Sequence, residues 1–114
     1  QKNFTIAPSL PIPIEFIAPS IEHTGEIISG KILEISRVRL VVFAENPIEE
    51  NECLGVNFEL PDTTRIASPL VIAQKRKDKF MYDAEFVVID EKERSRMIQY
   101  MYKRQIEMAK LESK

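Results

Sequence analysis

The sequence has few of the residues that carry covalent or metal chemistry in proteins. Its 114 residues include one cysteine, Cys53, one histidine, His23, and three glycines. One cysteine cannot form an internal disulfide and has no second ligand at metal-binding spacing, so we expect no metal site and a reducing, cytoplasmic location. No glycine-rich phosphate loop, pair of catalytic carboxylates or activated nucleophile is recognisable. We therefore predict no catalytic residues and no enzymatic activity.

Two further absences limit the kinds of partner. Lys and Arg number 16 against 18 Asp and Glu, and this near balance argues against a protein that binds nucleic-acid polymers by neutralising phosphates. No apolar run approaches the roughly 18 residues that cross a bilayer, and the first residues lack the layout of a signal peptide. We therefore expect neither a membrane-spanning helix nor a signal peptide in this sequence. One core is the default at this length, and we predict a single domain over 1–114.

The sequence is instead a succession of β-strand patterns. Four prolines before Ser20 predict an extended arm over 1–11 that enters an edge strand. β-branched residues dominate between Glu26 and Phe43 and predict two strands with a turn near Ser36–Val38. Further strand patterns follow at Leu54–Leu60, Ile66–Lys75 and Phe80–Ile89. We therefore predict a mainly β fold, a small six-stranded antiparallel β-barrel over 12–89.

The end of the chain has a helical pattern. Asp90 is a candidate N-cap with Glu93 three residues later, and no Gly or Pro interrupts the run to Lys114, which predicts a long C-terminal α-helix over 90–113. Its apolar residues cover more than half of the circumference, wider than the stripe that one sheet face covers. We therefore predict that the helix contacts another protein, another domain of a longer chain, or a second copy. The residues expected to take part are Met97, Met101, Met108 and Leu111, unless they pack in the chain's own core.

The order of these features resembles PilZ domains, the bacterial receptors for cyclic di-GMP. The stretch from Gly30 to Val42 is similar to the family's Asp/Asn-x-Ser-x-x-Gly element, with Glu34 in the acidic or amide position, Ser36 retained and Arg39 where glycine is expected. The first residues resemble the family's arm, which carries Arg-x-x-x-Arg, with Gln1 and Thr5 at the two arginine positions. Similar motifs follow in the family's order at Leu54–Phe58, Tyr82–Phe86 and Arg96–Gln105.

The resemblance implies a signalling domain whose ligand residues are partly replaced. Arginine forks suit phosphate and guanine because they form bidentate hydrogen bonds and stack on bases, and neither Gln1 nor Thr5 supplies one. Losing two such contacts, each worth roughly 1.5–3 kcal/mol, weakens affinity on the order of a hundredfold or more. We therefore predict a non-enzymatic adaptor of the PilZ type, serving behaviours such as motility through protein contacts, with a degenerate cyclic di-GMP site and no cofactor.

The alternative is a receptor that still binds cyclic di-GMP. It would use Glu34, Ser36, Arg37, Arg39 and basic residues upstream of Gln1. A purely structural interpretation competes at each of these positions. Glu34 and Ser36 would satisfy backbone groups in a tight strand connection, and the two arginines would be solvated strand-edge residues.

Overall fold

The computed structural model describes residues 5–17, 27–78 and 80–112, without the side chain of Ala73. Within these ranges the chain forms seven strands and one helix. None of the helical structure described is both long enough and apolar enough to cross a bilayer. The elements in chain order are β1 (Thr5–Ile6), β2 (Ile12–Ile17), β3 (Ile27–Ser36), β4 (Arg39–Ala44), β5 (Cys53–Glu59), β6 (Arg65–Lys75), β7 (Met81–Phe86) and α1 (Glu91–Glu112).

Six of the described strands close into an antiparallel barrel. The order runs from β3 through β2, β5, β6 and β7 to β4, and β4 pairs back with β3. Closure gives each of these strands a partner on both sides, so backbone groups that an open sheet leaves to solvent are paired. The prediction of a mainly β fold, a six-stranded antiparallel barrel with a C-terminal helix, is confirmed.

Alternation along the strands fills the barrel. In β2, Ile12, Ile14 and Phe16 are buried while the residues between them are exposed, because successive side chains of a strand point to opposite faces. The register shifts by one residue between Ile32 and Glu34 on β3. Such a bulge lets a strand bend around a small barrel and changes which face the following side chains occupy.

Gly30 is required by the close approach of two strands. It lies opposite Ala44 of β4, and a Cβ at this position would collide with the carbonyl oxygen of Phe43 and lie 3.0 Å from a ring carbon of Phe16. Gly55 on β5 is different, because its nearest neighbour would be the Cβ of Ile17 at 3.8 Å, an ordinary contact. Of the two glycines in the described residues, Gly30 is therefore the one fixed by lack of space.

The helix is part of the core. Asp90 Oδ2 accepts hydrogen bonds from the N–H groups of Lys92 and Glu93 at 3.0 and 3.3 Å, so Asp90 is the predicted N-cap. Glu93 Oε1 accepts from the Ser68 hydroxyl at 3.2 Å and ties the first turn to β6. The residues that α1 contributes to the barrel core are Met97, Tyr100 and Met101.

This packing changes the interpretation of the helical methionines. Met97 and Met101 are 0% and 2% exposed, so they pack in the chain's own core, which was the alternative to a partner contact. Their side chains are not available for the predicted contact with a partner. Met108 is partly buried against the core, and Leu111 is 64% exposed. The wide apolar distribution arises because one face of the helix completes the barrel core while other apolar side chains remain at the surface.

Candidate functional site

The fold brings together the segments that carry the predicted ligand residues. β1 pairs with the end of β3, which places Thr5 opposite Ser36. The two-residue turn of Arg37 and Val38 then leads to Arg39, the first residue of β4. Glu34 lies on the same stretch of β3, just after the bulge. Gln1 lies outside the described residues.

The hydroxyl of Ser36 is used inside the β3–β4 turn. Its Oγ accepts a hydrogen bond from the N–H of Arg39 at 3.1 Å and donates one to the carbonyl oxygen of Arg39 at 3.2 Å. Ser36 is 6% exposed, and its single O–H donor is already engaged. Ser36 therefore closes a tight strand connection in this structure, as the structural interpretation of the motif predicted.

The guanidinium of Arg39 has an intramolecular partner. Arg39 lies directly opposite Glu85 of β7, and its Nη2 donates to Glu85 Oε2 at 2.8 Å. The two side chains are 51% and 42% exposed. The pair is a cross-strand contact of opposite charges on the outer surface of the barrel. The most promising replacement cation in the motif is therefore paired within the chain.

A second ion pair, which the sequence analysis did not identify, lies two residues away on β7. Asp83 accepts from Nε and Nη2 of Arg76 at distances of 2.9–3.3 Å. This hydrogen bonding raises the pKa of Arg76, and the negative charge of Glu34 raises it further. Val41, opposite Asp83 on β4, is only 5% exposed although it lies outside the core cluster. Side chains around Val41 therefore shield it from solvent on the outer surface of the barrel.

The helix contacts one connection of the barrel and acts electrostatically on another. Arg104 Nε donates to the carbonyl oxygen of Ala7 at 2.9 Å and anchors the segment between β1 and β2. In the β5–β6 turn, burial opposes the ionisation of Asp62, but hydrogen bonds from Thr64 and positive charges on α1, including Lys103, outweigh it and lower the pKa of Asp62. The arm is thus held by a hydrogen bond to α1, and the charge of Asp62 in the turn is favoured by positive charges on α1.

A polar groove of about 420 Å³ lies elsewhere on the outer surface, over β2, β3 and β5. It contains none of the predicted ligand residues. Within the described part of the chain, no group of three or more His, Cys, Asp or Glu side chains is placed to hold a metal ion. The charged residues that line the polar groove are Glu15, Lys31, Glu45, Glu59 and Arg65.

A closed six-stranded barrel with an extended arm and a terminal helix is the fold of PilZ domains. The chain is similar to the structure described as "PilZ domain with c-di-GMP of YcgR from Escherichia coli", with a TM-score of 0.74 and 10% identity over 100% of this chain and 98% of that one. It is also similar to the Bacillus subtilis inhibitor of motility (MotI/DgrA), with a TM-score of 0.74 and 16% identity.

The extent of these similarities limits what they establish. The match covers 94% of this chain and 53% of the inhibitor of motility, so the chain spans about half the length of that protein. No protein-family model and no curated protein matches the sequence. The similarity therefore establishes the PilZ-like fold, and the roles of the motif residues remain predictions.

Proposed function

We propose that this chain is a non-enzymatic signalling or adaptor domain of the PilZ type whose cyclic di-GMP site is degenerate and which acts through protein contacts. The observation that carries the proposal is the internal use of the two motif side chains best suited to an anion. Ser36 closes its own turn, and Arg39 is paired with Glu85. A nucleotide would have to displace both arrangements.

The arm adds to this argument. Thr5 lies where the family's arm approaches the motif, but its short neutral side chain has neither the reach nor the charge of a guanidinium. An arm without arginine has no fork for a guanine edge or a phosphate. The arm is also fixed to the helix by Arg104, which is a structural role that does not require a ligand.

One observation favours the alternative, a receptor that still binds cyclic di-GMP. Arg37 is exposed in the turn next to Ser36, and the ion pairs found among the described residues do not include it. Together with Glu34, Arg39 and basic residues upstream of Gln1, Arg37 would supply the positive charge and hydrogen bonds that Gln1 and Thr5 do not. We favour the degenerate site because a single arginine does not replace a pair of arginine forks.

Calorimetric titration with cyclic di-GMP distinguishes the two functions. We expect no binding by the natural chain and measurable binding by a variant that combines Gln1→Arg with Thr5→Arg. The matched control combines Ser95→Arg with Gln99→Arg, two exposed positions of the same spacing on α1. Tight stoichiometric binding by the natural chain would contradict the degenerate site.

The protein contacts are proposed for the second half of α1. Three large apolar side chains are exposed there, Tyr102 at 60%, Ile106 at 56% and Leu111 at 64%. Truncation before the helix would not test this, because it would remove core residues. Light scattering of the natural chain and of Ile106→Glu is the suitable test. A mass that rises with concentration only in the natural chain indicates self-association through this surface, and monomers in both samples exclude it under the conditions of the experiment.

A further inference from the structure

We propose that Asp83 and Glu85, on the outer face of β7, determine ligand specificity at this surface by excluding anions. Neutralising both carboxylates should convert the surface into an anion-binding site. The inference rests on the proposed function, since it identifies side chains that would oppose nucleotide binding at the degenerate site. It goes beyond the motif from Gly30 to Val42 because Asp83 and its partner Arg76 lie outside that stretch.

The two carboxylates have equivalent positions. They lie two residues apart on one face of β7, roughly 7 Å along the strand, and each pairs with an arginine from a neighbouring strand. Glu85 Oε2 lies 2.8 Å from Nη2 of Arg39, the first residue of β4, and Asp83 Oδ1 lies 2.9 Å from Nη2 of Arg76, the residue after β6. The strands β3, β4, β7 and β6 are consecutive neighbours in the barrel, so these groups form one continuous surface.

The charges on this surface do not favour an anion. Two guanidiniums, Arg39 and Arg76, are paired with two carboxylates, and Glu34 contributes a third negative charge that acts on Arg76. With Arg37 in the adjacent turn and Asp78, whose charge also acts on Arg76, three arginines lie near four carboxylates. A phosphate approaching the surface therefore meets a negative net charge and two arginine donors that already have acceptors. Exposed ion pairs are individually weak, so the exclusion depends on the net charge as well as on the hydrogen bonds.

The arginines are nevertheless held in a suitable arrangement. Arg76 presents a planar fork to both oxygens of Asp83, and the Asp83 side chain is 16% exposed. Asn and Gln keep the shape and an acceptor oxygen of Asp and Glu while removing the charge. Each substitution keeps one acceptor oxygen for the neighbouring arginine, frees the remaining guanidinium donors and turns the net charge of the surface positive.

The test is calorimetric titration of the natural chain and of the double variant Asp83→Asn/Glu85→Gln with cyclic di-GMP and, separately, with inorganic pyrophosphate. The matched control, Glu15→Gln/Glu59→Gln, removes two carboxylates from the polar groove on another part of the surface. We expect the double variant to bind at least one of the two anions tenfold or more tightly than the natural chain and the control, and we expect this affinity to fall as salt is added.

Each outcome decides the inference. A double variant that binds neither anion more tightly than the control overturns it. Tight binding of cyclic di-GMP by the natural chain contradicts the degenerate site, whereas a further tenfold gain in the double variant would still support the role of the carboxylates. If thermal melting shows that Asp83→Asn unfolds the barrel, the single variant Glu85→Gln is titrated instead. Its gain in anion affinity should be smaller, because only one arginine is released from its carboxylate.

Discussion

Met97→Ala tests whether the terminal helix belongs to the barrel core. Met97 is 0% exposed and packs in the core cluster. Truncation to alanine removes three heavy atoms, which forfeits about 2 kcal/mol of transfer free energy, and the remaining cavity raises the expected loss of unfolding free energy to about 2–4 kcal/mol. Alanine is the best helix former, so the loss does not come from helix propensity. At about 4 °C per kcal/mol for a domain of this size, Tm should fall by roughly 8–16 °C.

Urea denaturation followed by circular dichroism and by tyrosine fluorescence measures this loss. The control is Gln105→Ala on the same helix, whose side chain is exposed and whose truncation should change the free energy of unfolding by less than about 0.5 kcal/mol. The two probes should give one transition, because the helix and the barrel share a core. Equal urea midpoints for Met97→Ala and Gln105→Ala would contradict the docking of the helix into the barrel core.

Three further predictions concern the turn, the crowded glycine and acid stability. Ser36→Ala should lower the free energy of unfolding by about 1–2 kcal/mol because two hydrogen bonds in the β3–β4 turn are lost; an effect no larger than that of the exposed Ser95→Ala in urea denaturation would count against this role. Gly30→Ala should destabilise by several kcal/mol or prevent folding, whereas Gly55→Ala, which has room for a Cβ, should fold normally as judged by thermal melting. The pKa of Asp62 is lower in the folded chain, so its carboxylate stabilises the fold above the unfolded pKa of about 3.9, and this contribution is lost as the pH falls through the folded pKa. In thermal melts between about pH 5 and pH 2, the Tm of Asp62→Asn should therefore fall less steeply with pH than that of the natural chain. Parallel plots of Tm against pH would contradict this role of Asp62.

Much of the candidate site could be anticipated from the sequence. The turn between two β-branched strands predicted where Ser36 lies, and the structural interpretation of its hydroxyl agrees with the geometry. The charge partner of Arg39 could not be anticipated in the same way. Arg39 and Glu85 are 46 residues apart, and a shift of one residue in the pairing of β4 with β7 would move each side chain to the opposite face.

Local signals in the sequence located the barrel strands, the N-cap at Asp90 and the approximate extent of the helix, because alternation, β-branching and capping act between residues a few positions apart. The buried face of the helix and the charge pairs on the outer surface depend on contacts between distant parts of the chain. Barrel closure and the bulge on β3 set the register between distant strands. That register brings Asp83 and Glu85 to two arginines and Met97 and Met101 into the core, and no local pattern specifies it.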